Sequence, residues 1–390
     1  MEVRPGYKQT EVGVIPEEWR VKLLPEICRF RGGKAHEQHI LDAGKYVCVN
    51  SKFISSDGTV RKYSTANFCP AKKGDVLMVM SDLPNGRALA KAYLVEAEDT
   101  YAVNQRICAL TAYRDWPEYL FYVLNRNPYF LKFDDGVNQT HLLNPVFKKC
   151  PLALPPTLEE QRAIATALSD VDGLLGGLDR LIAKKRDLKQ AAMQQLLTGQ
   201  TRLPGFHGAW EVKRLGDVSE IVMGQSPSSS NYNSNGNGLP LIQGNADIAD
   251  RKTIKRFFTT QITKRGRGGD ILMSVRAPVG EVSRTTFDVC LGRGVCAIRF
   301  PNDFLYHFLI FLEPTWAKHS KGSTFDSVNS TDVKALEILL PCDKQEQTAI
   351  AEVLTDMDAE LAALEQRRDK TRALKQAMMQ ELLTGRTRLV

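Results

Sequence analysis

The sequence predicts an α+β fold in which two similar mixed α/β domains are separated by two long helices. These helices are expected to form an antiparallel coiled coil with cyclic pseudo-two-fold symmetry. Three observations support this fold. The stretch 160–203 returns as 346–389 without a gap, and 25 of the 44 aligned positions are identical. Both copies have the residue spacing of paired helices, and each follows a strand-rich region of similar layout. A duplication of this length indicates a repeated structural unit.

Each copy of the duplicated stretch is expected to be one long helix. Its apolar residues recur at steps of four and three, which is the seam of a helix packed along another helix. A helix over residues 158–198 would be roughly 60 Å long. Gly199 and Gly385 follow the two helices and can take the left-handed conformation that ends them. The seam consists of Ile164, Leu168, Val171, Leu175, Leu178 and Ile182 in the first copy and of Ile350, Leu354, Met357, Leu361 and Leu364 in the second, where Arg368 interrupts the row.

Three glycines distinguish the first copy from the second. Gly173, Gly176 and Gly177 stand where the second copy has alanine. Each costs roughly 1 kcal/mol of helix propensity relative to alanine. They either weaken the first helix or permit the close approach of another helix, and the sequence leaves both readings open.

The regions between the long helices read as mixed domains with short strands separated by turns. The second region repeats the plan of the first, although its loops differ strongly. Predicted strands cover 46–49, 75–80 and 106–110 in the first region and 239–243, 269–273 and 294–298 in the second, and predicted helices cover 116–131 and 304–312.

A short motif precedes each repeat. Trp19 begins WRVKLL and Trp210 begins WEVKRL, at an offset of 191 residues. Because the second long helix is not followed by such a motif, the N-terminal segment is expected to complete the second repeat, and the two chain ends are expected to lie close in space. The expected divisions are 1–19 for the N-terminal segment, 20–150 and 204–340 for the mixed domains, and 151–203 and 341–390 for the helical regions.

Composition places the chain among ordinary soluble proteins of two or three domains. It has 390 residues, of which 43% are apolar and 25% charged, and no apolar run is long enough to span a bilayer. We therefore expect a cytoplasmic protein. The eight cysteines form no CxxC pair and are expected to be reduced, and His36 and His39 lack further ligands for a metal. The net charge of +7 is compatible with a polyanionic partner.

The sequence carries no recognisable catalytic motif. It lacks a Gly-x-x-x-x-Gly-Lys-Ser/Thr phosphate loop and an Asn-Pro-Pro-Tyr/Phe segment of the kind used by amino-methyltransferases. Gly266-Arg-Gly-Gly269 precedes a strand rather than a helix, which argues against a dinucleotide site. We expect a chain that catalyses nothing alone and contains no cofactor or metal.

The divergent loops contain the residue types that contact DNA. Arg, Lys, Asn and Gln reach base edges, and basic or hydroxyl side chains contact phosphates. A basic loop is more often simply solvated, but several of these clusters recur at corresponding places in the two regions. The DNA-binding candidates are Lys52, Arg61, Lys62, Asn104, Gln105, Arg106, Asn138, Gln139 and Thr140 in the first region and Gln243, Asn245, Arg251, Lys255, Arg256, Arg276, Arg293, Lys321, Ser323 and Thr324 in the second.

This arrangement resembles the specificity subunit of Type I restriction–modification systems. The resemblance rests on Gly-Val-Ile-Pro at 13–16 with Trp19, on Pro155-Pro156, and on Glu-Gln at 160–161 and 346–347 opening the duplicated helices. It also rests on Leu-Leu-Thr-Gly-x-Thr-Arg-Leu at both helix ends and on Gly-Ser-Thr at 322–324. It implies two target-recognition domains that each read one half of a split double-stranded DNA site, and helices that set the spacing.

The resemblance also implies partners. Two methyltransferase (modification) subunits that use S-adenosylmethionine would dock on the helices, and restriction subunits that use ATP would join the complex. Neither cofactor is expected to bind this chain. Candidate partner-binding residues are Lys184, Lys185, Arg186 and Lys189 in the first copy and Lys370, Arg372 and Lys375 in the second. Two other functions stay open: a coiled-coil adaptor that binds proteins rather than DNA, and a self-contained DNA nuclease or methyltransferase.

Overall fold

The structure is a computed structural model that describes residues 4–83, 86–319 and 327–389. It consists of two compact units: unit 1 contains Met1–Leu178 and Arg367–Val390, and unit 2 contains Asp179–Gln366. Each unit therefore contains part of both long helices. No helix among the described residues is long and apolar enough to cross a membrane.

The α-helices of the described residues include the two predicted long ones. In chain order they are α1 Leu24–Ile27, α2 Ser51–Ser55, α3 Pro117–Leu124, α4 Pro128–Leu131, α5 Asn144–Lys148, α6 Leu158–Leu196, α7 Leu215–Val218, α8 Phe304–His319, α9 Ser330–Ala335 and α10 Lys344–Leu382.

The strands are short, as predicted. Before α6 they are β1 Tyr7–Thr10, β2 Gly13–Pro16, β3 Arg20–Leu23, β4 Cys28–Gly32, β5 Ile40–Leu41, β6 Tyr46–Val49, β7 Tyr63–Ser64, β8 Val76–Val79, β9 Ser81–Asp82, β10 Ala92–Leu94, β11 Tyr101–Val103, β12 Ile107–Ala112, β13 Thr140–His141 and β14 Pro151–Leu154. After α6 they are β15 Trp210–Arg214, β16 Glu220–Met223, β17 Tyr232–Asn233, β18 Leu239–Ile242, β19 Ile248–Ala249, β20 Lys252–Thr253, β21 Phe257–Thr259, β22 Arg265–Gly266, β23 Ile271–Ser274, β24 Val282–Arg284, β25 Val289–Leu291, β26 Val295–Arg299 and β27 Glu337–Pro341.

Unit 1 is built on two four-stranded sheets. The first has the order β10-β8-β12-β4 and is antiparallel, and the second has the order β11-β6-β7-β5, in which β11 and β6 are parallel. Its main hydrophobic core lies between the β10-β8-β12-β4 sheet and the helices. Residues buried in this core include Trp19, Tyr119, Phe147 and Leu168. The N-terminal motif and the first turns of α6 therefore belong to one hydrophobic core.

Unit 2 repeats this layout, but its two main sheets have six and five strands. Their orders are β16-β26-β23-β24-β20-β19 and β17-β21-β18-β25-β22. The core buries Leu197, Phe304 and Leu354 together with the apolar face of β23 and β26. The predicted similarity of the two mixed α/β regions is confirmed at the level of strand order around β8-β12-β4 and β23-β26-β16.

Two predicted helix boundaries were wrong. The helix predicted over 116–131 is two helices, α3 and α4, because Arg126 has a φ of 58° and Pro128 begins the second helix. A proline lacks the N–H that would continue the preceding helix. The helix predicted over 304–312 continues to His319, past Pro314.

The long helices run antiparallel within each unit. In unit 1, Glu160 at the start of α6 binds Arg388 beyond the end of α10, and Asp172 lies 2.6 Å from Lys375 Nζ. In unit 2, Glu346 near the start of α10 binds Arg202, with Nη2 and Oε2 2.7 Å apart. Residue numbers thus fall along one helix as they rise along the other, which confirms the predicted antiparallel pairing in each unit.

The seam of α6 is buried along most of its length, including Leu178 and Ile182 near the middle of the helix. Ile164 and Leu168 of α6 and Leu354 of α10 are fully buried, whereas Val171 and Leu175 are half-buried. Apart from its chain neighbours and the nearby backbone of α6, a Cβ atom built on Gly173 or Gly177 would meet no heavy atom of the described residues within 4 Å. Close helix approach therefore does not explain these two glycines, which leaves the weakening of the first helix.

Each long helix ends against a tryptophan motif. Gly199 and Gly385 have φ values of 69° and 71°, as expected for helix-ending glycines. A Cβ on Gly199 would lie 3.4 Å from the Trp210 ring, and one on Gly385 would lie 2.6 Å from Pro16 Cδ. Tyr7 Oη also donates to the Gly385 carbonyl at 3.2 Å, which confirms that the two ends of the chain lie close together.

A second set of contacts joins the helices to the mixed domains. In unit 1, Tyr122 Oη on α3 donates to Asp172 at 2.8 Å, and Lys375 lies over the Tyr122 ring. In unit 2, Asp358 binds Lys189 and lies 3.9 Å from His307 Nδ1 on α8. The identical Asp and Lys of the two copies thus hold different aromatic partners.

Candidate nucleic-acid interface

The loops of unit 1 converge where β4, β6, β8 and β11 end and β12 begins. We call this surface edge 1 and define it as residues 33–37, 50–52, 80–83, 104–106 and 139–142. Backbone hydrogen bonds join the loops: Asn104 N donates to Val49 O at 3.1 Å, Met80 N to Arg106 O at 2.9 Å, and Leu142 N to Met80 O at 2.8 Å. Side chains that leave these loops are therefore held by the sheet framework.

Unit 2 has a corresponding surface, edge 2, formed by residues 224–226, 243–245, 275–276, 292–294 and 327–328. Gly292 N donates to Ile242 O at 2.8 Å, Val275 N to Gly294 O at 2.9 Å, and Val328 N to Val275 O at 2.9 Å. These bonds join the ends of the strands that correspond to those of edge 1. Both units thus present loops at the same end of the same sheet framework.

A glycine fixes the central turn of each edge. Gly33 N donates to Ile107 O at 2.8 Å, and a Cβ at Gly33 would lie 2.0 Å from Asn104 O. Gly224 N donates to Val295 O at 3.0 Å, and a Cβ there would lie 2.0 Å from Gly292 O. Only glycine permits such a close backbone approach. The turn 104–106 of edge 1 therefore corresponds to the turn 292–294 of edge 2.

Edge 1 gathers some of the predicted DNA contacts. Lys52, Gln105, Arg106 and Gln139 are exposed on it, and Gln139 Nε2 donates to Ser81 Oγ at 3.2 Å. Lys62 flanks it, since Cys48 N donates to Lys62 O one residue before β6 ends. These side chains are available to a partner from one surface.

Other candidates of unit 1 are held by internal contacts. Asn104 is buried, with its Oδ1 accepting from His36 N at 3.2 Å. Thr140 is buried beside Asp134, and the Asn138 amide donates to Asp135 at 3.0 Å. Arg61 Nε donates to Gly58 O at 2.9 Å. A direct role of these four in DNA contact stays a prediction.

Edge 2 exposes Gln243, Asn245, Arg276 and Arg293. Arg256 lies beside its second loop, because Nη1 donates to Ala246 O at 3.0 Å. Two other candidates lie elsewhere on the unit.

Those two candidates are held by neighbouring side chains and backbone. Arg251 binds Glu313 on α8 and the Val282 carbonyl, and Lys255 Nζ lies 4.4 Å from the centroid of the Phe287 ring. The candidates Lys321, Ser323 and Thr324 lie outside the described residues.

Three edge residues were missed by the sequence reading. Glu37 accepts hydrogen bonds from Gln105 Nε2 at 2.9 Å and from Asn104 Nδ2 at 3.3 Å. Its own backbone N–H and then the Asn104 amide hold the pKa of Glu37 below its usual value. Ser226 Oγ accepts from Arg293 N at 3.1 Å.

The third is His36, which is buried and accepts from Phe68 N at 3.0 Å while its Nδ1 lies 2.7 Å from Lys34 O. It is thus part of the loop framework. The sequence contains a signal for the two turns, because Gly33 and Gly224 are separated by the same 191 residues as Trp19 and Trp210, but none for these three side chains.

The long helices present a separate candidate surface for partner proteins. Leu188 and Leu374 occupy equivalent positions in the two copies and are 47% and 56% exposed. Lys184 and Lys370 precede them by four residues and are exposed as well, so each pair lies on one helix face.

The other candidates on the helices are engaged within their own unit. Lys185 and Arg186 bind Glu360 and Glu365, Lys189 binds Asp358, Lys375 binds Asp172, and Arg372 Nη1 lies 3.4 Å from Asp369. Lys184 and Lys370 are thus better placed than these five to meet a partner, and the partner role of all seven stays a prediction.

Comparisons with known proteins agree with this architecture. The profile of the family described as "Type I restriction modification DNA specificity domain" matches the chain twice, over residues 16–182 and 208–372. A Methanocaldococcus jannaschii protein, named as specificity subunit of the type I restriction enzyme MjaX, is 29% identical over 98% of this chain and 97% of its own length. The type I restriction enzyme MjaVIII specificity subunit of the same organism is 22% identical, over 96% and 94%.

Solved structures show the same fold. A chain from a study of complex assembly and conformational transition of the type I R-M system is 26% identical, with a TM-score of 0.61 and coverage of 95% of this chain and 99% of that one. The type I restriction-modification S subunit from M. genitalium is 14% identical, with a TM-score of 0.65 and coverage of 98% of both chains. Because the family profile covers both repeats, this chain belongs to the Type I restriction–modification DNA specificity family.

Proposed function

We propose that the chain is the DNA-specificity subunit of a Type I restriction–modification complex and that edge 1 and edge 2 each read one half of a bipartite DNA site. The observation that carries this proposal is the pair of edges, which share one loop framework but expose different side chains. A framework held by backbone hydrogen bonds positions Arg, Lys and Gln for base edges and phosphates. The chain supplies recognition, and the modification chemistry belongs to its partners.

The exposed side chains of the edges disfavour the adaptor alternative. An adaptor for proteins would present apolar or acidic surfaces at its loops. Edge 1 instead exposes Lys52, Gln105 and Arg106, and edge 2 exposes Arg276 and Arg293. The alternative of a self-contained nuclease or methyltransferase gains no support from a metal site, because the described part of the chain holds no cluster of three or more His, Cys, Asp or Glu placed to bind one.

The test is methylome sequencing of cells that carry the chain with its methyltransferase partner. We expect one bipartite motif. Replacing residues 20–150, the proposed first target-recognition domain, with the same region of a relative should change one half of the motif only. A motif that changes in both halves, or methylation without any sequence preference, would contradict the proposal.

The helices are the proposed docking site of two methyltransferase subunits, one at each Lys–Leu pair. An exposed leucine beside a lysine offers apolar area and a charge to a partner. Leu188 and Leu374 occur in both copies, which fits two identical partners. Leu174 is similarly exposed, at 44%, but the second copy has Glu360 at the equivalent position.

This difference provides a matched control. Leu188→Ser together with Leu374→Ser should abolish co-purification of the methyltransferase, whereas Leu174→Ser should retain it. If the double variant still binds both partners at the wild-type ratio, the docking site lies elsewhere. Circular dichroism would verify that the helices persist in each variant.

A further inference from the structure

The turn at residues 104–106 holds one exposed amide in a defined orientation. Gln105 Nε2 lies 2.9 Å from Glu37 Oε1, on a turn that Gly33 fixes to the start of β12. The carboxylate of Glu37 also receives the buried Asn104 amide. The position of Glu37 is therefore held by Asn104 as well as by its contact with Gln105.

The chemistry of this contact fixes which end of the amide points where. With its pKa lowered, Glu37 is ionised at neutral pH and can only accept hydrogen bonds. The NH2 group of Gln105 must therefore face it, since the amide oxygen would be repelled. The Gln105 amide has two N–H groups; when Glu37 accepts from the one trans to Oε1, the other N–H and Oε1 lie side by side for a ligand.

A neighbouring donor and acceptor on one amide match a single base edge. Adenine presents N7 as acceptor and N6–H2 as donor in the major groove, and a glutamine amide binds both. We propose that Gln105 reads an adenine in the half-site of the first domain and that Glu37 is a positioning residue for this reading. The proposal rests on the proposed function of edge 1 as a DNA reader.

The equivalent turn of edge 2 carries a different side chain. Arg293 is exposed at the position of Gln105, and its backbone N–H is held by Ser226 Oγ. Its guanidinium forms no hydrogen bond or ion pair with the residues that the structure describes. A guanidinium offers two parallel donors, which match O6 and N7 of guanine. The same turn would thus read adenine in one half-site and guanine in the other.

The experiment uses the complex with the methyltransferase partner and a library of duplexes randomised around the wild-type motif. Gln105→Ala should relax one position of one half-site, where the preference for adenine should fall about tenfold or more. Glu37→Gln should relax the same position with little change at the others, because an amide at residue 37 accepts either orientation of Gln105. Arg293→Ala should relax a guanine in the other half-site.

Glu98→Gln removes the same charge from the exposed loop between β10 and β11 and serves as the matched control, with an unchanged motif expected. Glu37→Asp, which retains the acceptor, should retain more of the adenine preference than Glu37→Gln. If Gln105→Ala and Glu37→Gln leave every position unchanged, or weaken all positions alike, the inference is wrong while the bipartite motif of the unmutated complex still supports the proposed function. Absence of any motif in the unmutated complex would instead refute the proposed function.

Discussion

The pair of Arg388 and Glu160 offers a test of how the C-terminal segment is held in unit 1. The Glu160 side chain is fully buried, and both of its oxygens receive guanidinium nitrogens of Arg388, with Nη2 and Oε2 2.8 Å apart. Arg388→Ala would leave this carboxylate buried without its cation. Because the segment follows α10 and Glu160 opens α6, the change should loosen the junction of the two helices.

The magnitude follows from the burial of the two groups. Removing one partner of a buried ion pair costs about 3–5 kcal/mol. Arg388 is 27% exposed, so water can partly replace it, and we expect the lower end, about 3 kcal/mol. A penalty of about 3 kcal/mol corresponds to a more than hundredfold loss of protection against local opening.

Hydrogen–deuterium exchange is the suitable assay, since a chain of two units need not unfold in one step. Protection should fall at the start of α6 in the Arg388→Ala variant. The double variant Arg388→Ala with Glu160→Gln should recover part of the loss, because a neutral amide is less costly to bury than an unpaired carboxylate. Arg202→Ala, which removes the cation paired with the equivalent Glu346 of unit 2, is the control and should affect exchange in that unit.

Two outcomes would refute this reasoning. Unchanged exchange at the start of α6 in Arg388→Ala would mean that the bidentate contact does not hold the junction. A double variant no better protected than Arg388→Ala would mean that the loss comes from the missing Arg388 stem rather than from the buried charge.

Three further predictions concern the helices and the buried histidine. Adding one heptad to both long helices at the boundary of the two units should lengthen the gap between the two half-sites by about three base pairs, as read from the methylome. Seven residues add about 10.5 Å to a helix and rotate its apolar seam by only about 20°. An unchanged gap would show that the helices do not set it. Gly173→Ala should stabilise α6 by about 1 kcal/mol, measured as stronger protection of its amides from hydrogen exchange. Gly385→Ala should instead destabilise unit 1, because the φ of Gly385 is 71° and the new Cβ would meet Pro16. Burial lowers the pKa of His307 from 6.5 to about 4, so only the unfolded state gains its proton as the pH falls through this window. Unit 2 should therefore lose stability there, and His307→Gln should remove that part of the loss.

The sequence predicted the elements that depend on local pattern. The seam of Ile164 and Leu168, the strand at 46–49 and the helix-ending glycines follow from periodicity and from glycine conformation, which act over a few residues. The break between α3 and α4 has one local signal, Pro128, but Arg126, with its φ of 58°, is also held by distant residues. Arg126 Nη1 there binds the carbonyl oxygens of Arg87 and Leu89 at 3.0 and 3.2 Å, nearly forty residues away in sequence.

In the candidate interface, too, residue types could be predicted from the sequence, whereas exposure and neighbours could not. The triplet 104–106 was correctly singled out by residue type, but its members differ in exposure. Asn104 is buried and Gln105 is exposed, because Gly33 and Val49 fix the turn from two other strands. Glu37, which orients Gln105, is 68 residues away, and an acidic side chain is not a residue type expected to meet a phosphate. Such neighbours are set by tertiary packing.

The distribution of identity between the two copies has a structural reason. Asp172 with Lys375 and Asp358 with Lys189 are the same pair formed from opposite copies, so each identical residue serves once in each unit. Each copy supplies one residue to each pair, so both copies must keep both the Asp and the Lys for both pairs to form. Each edge, by contrast, is built from one mixed domain alone, and its side chains can change without disturbing the other. The duplicated contacts are therefore fixed where the loops are free to diverge, which is the property that a reader of two unlike half-sites requires.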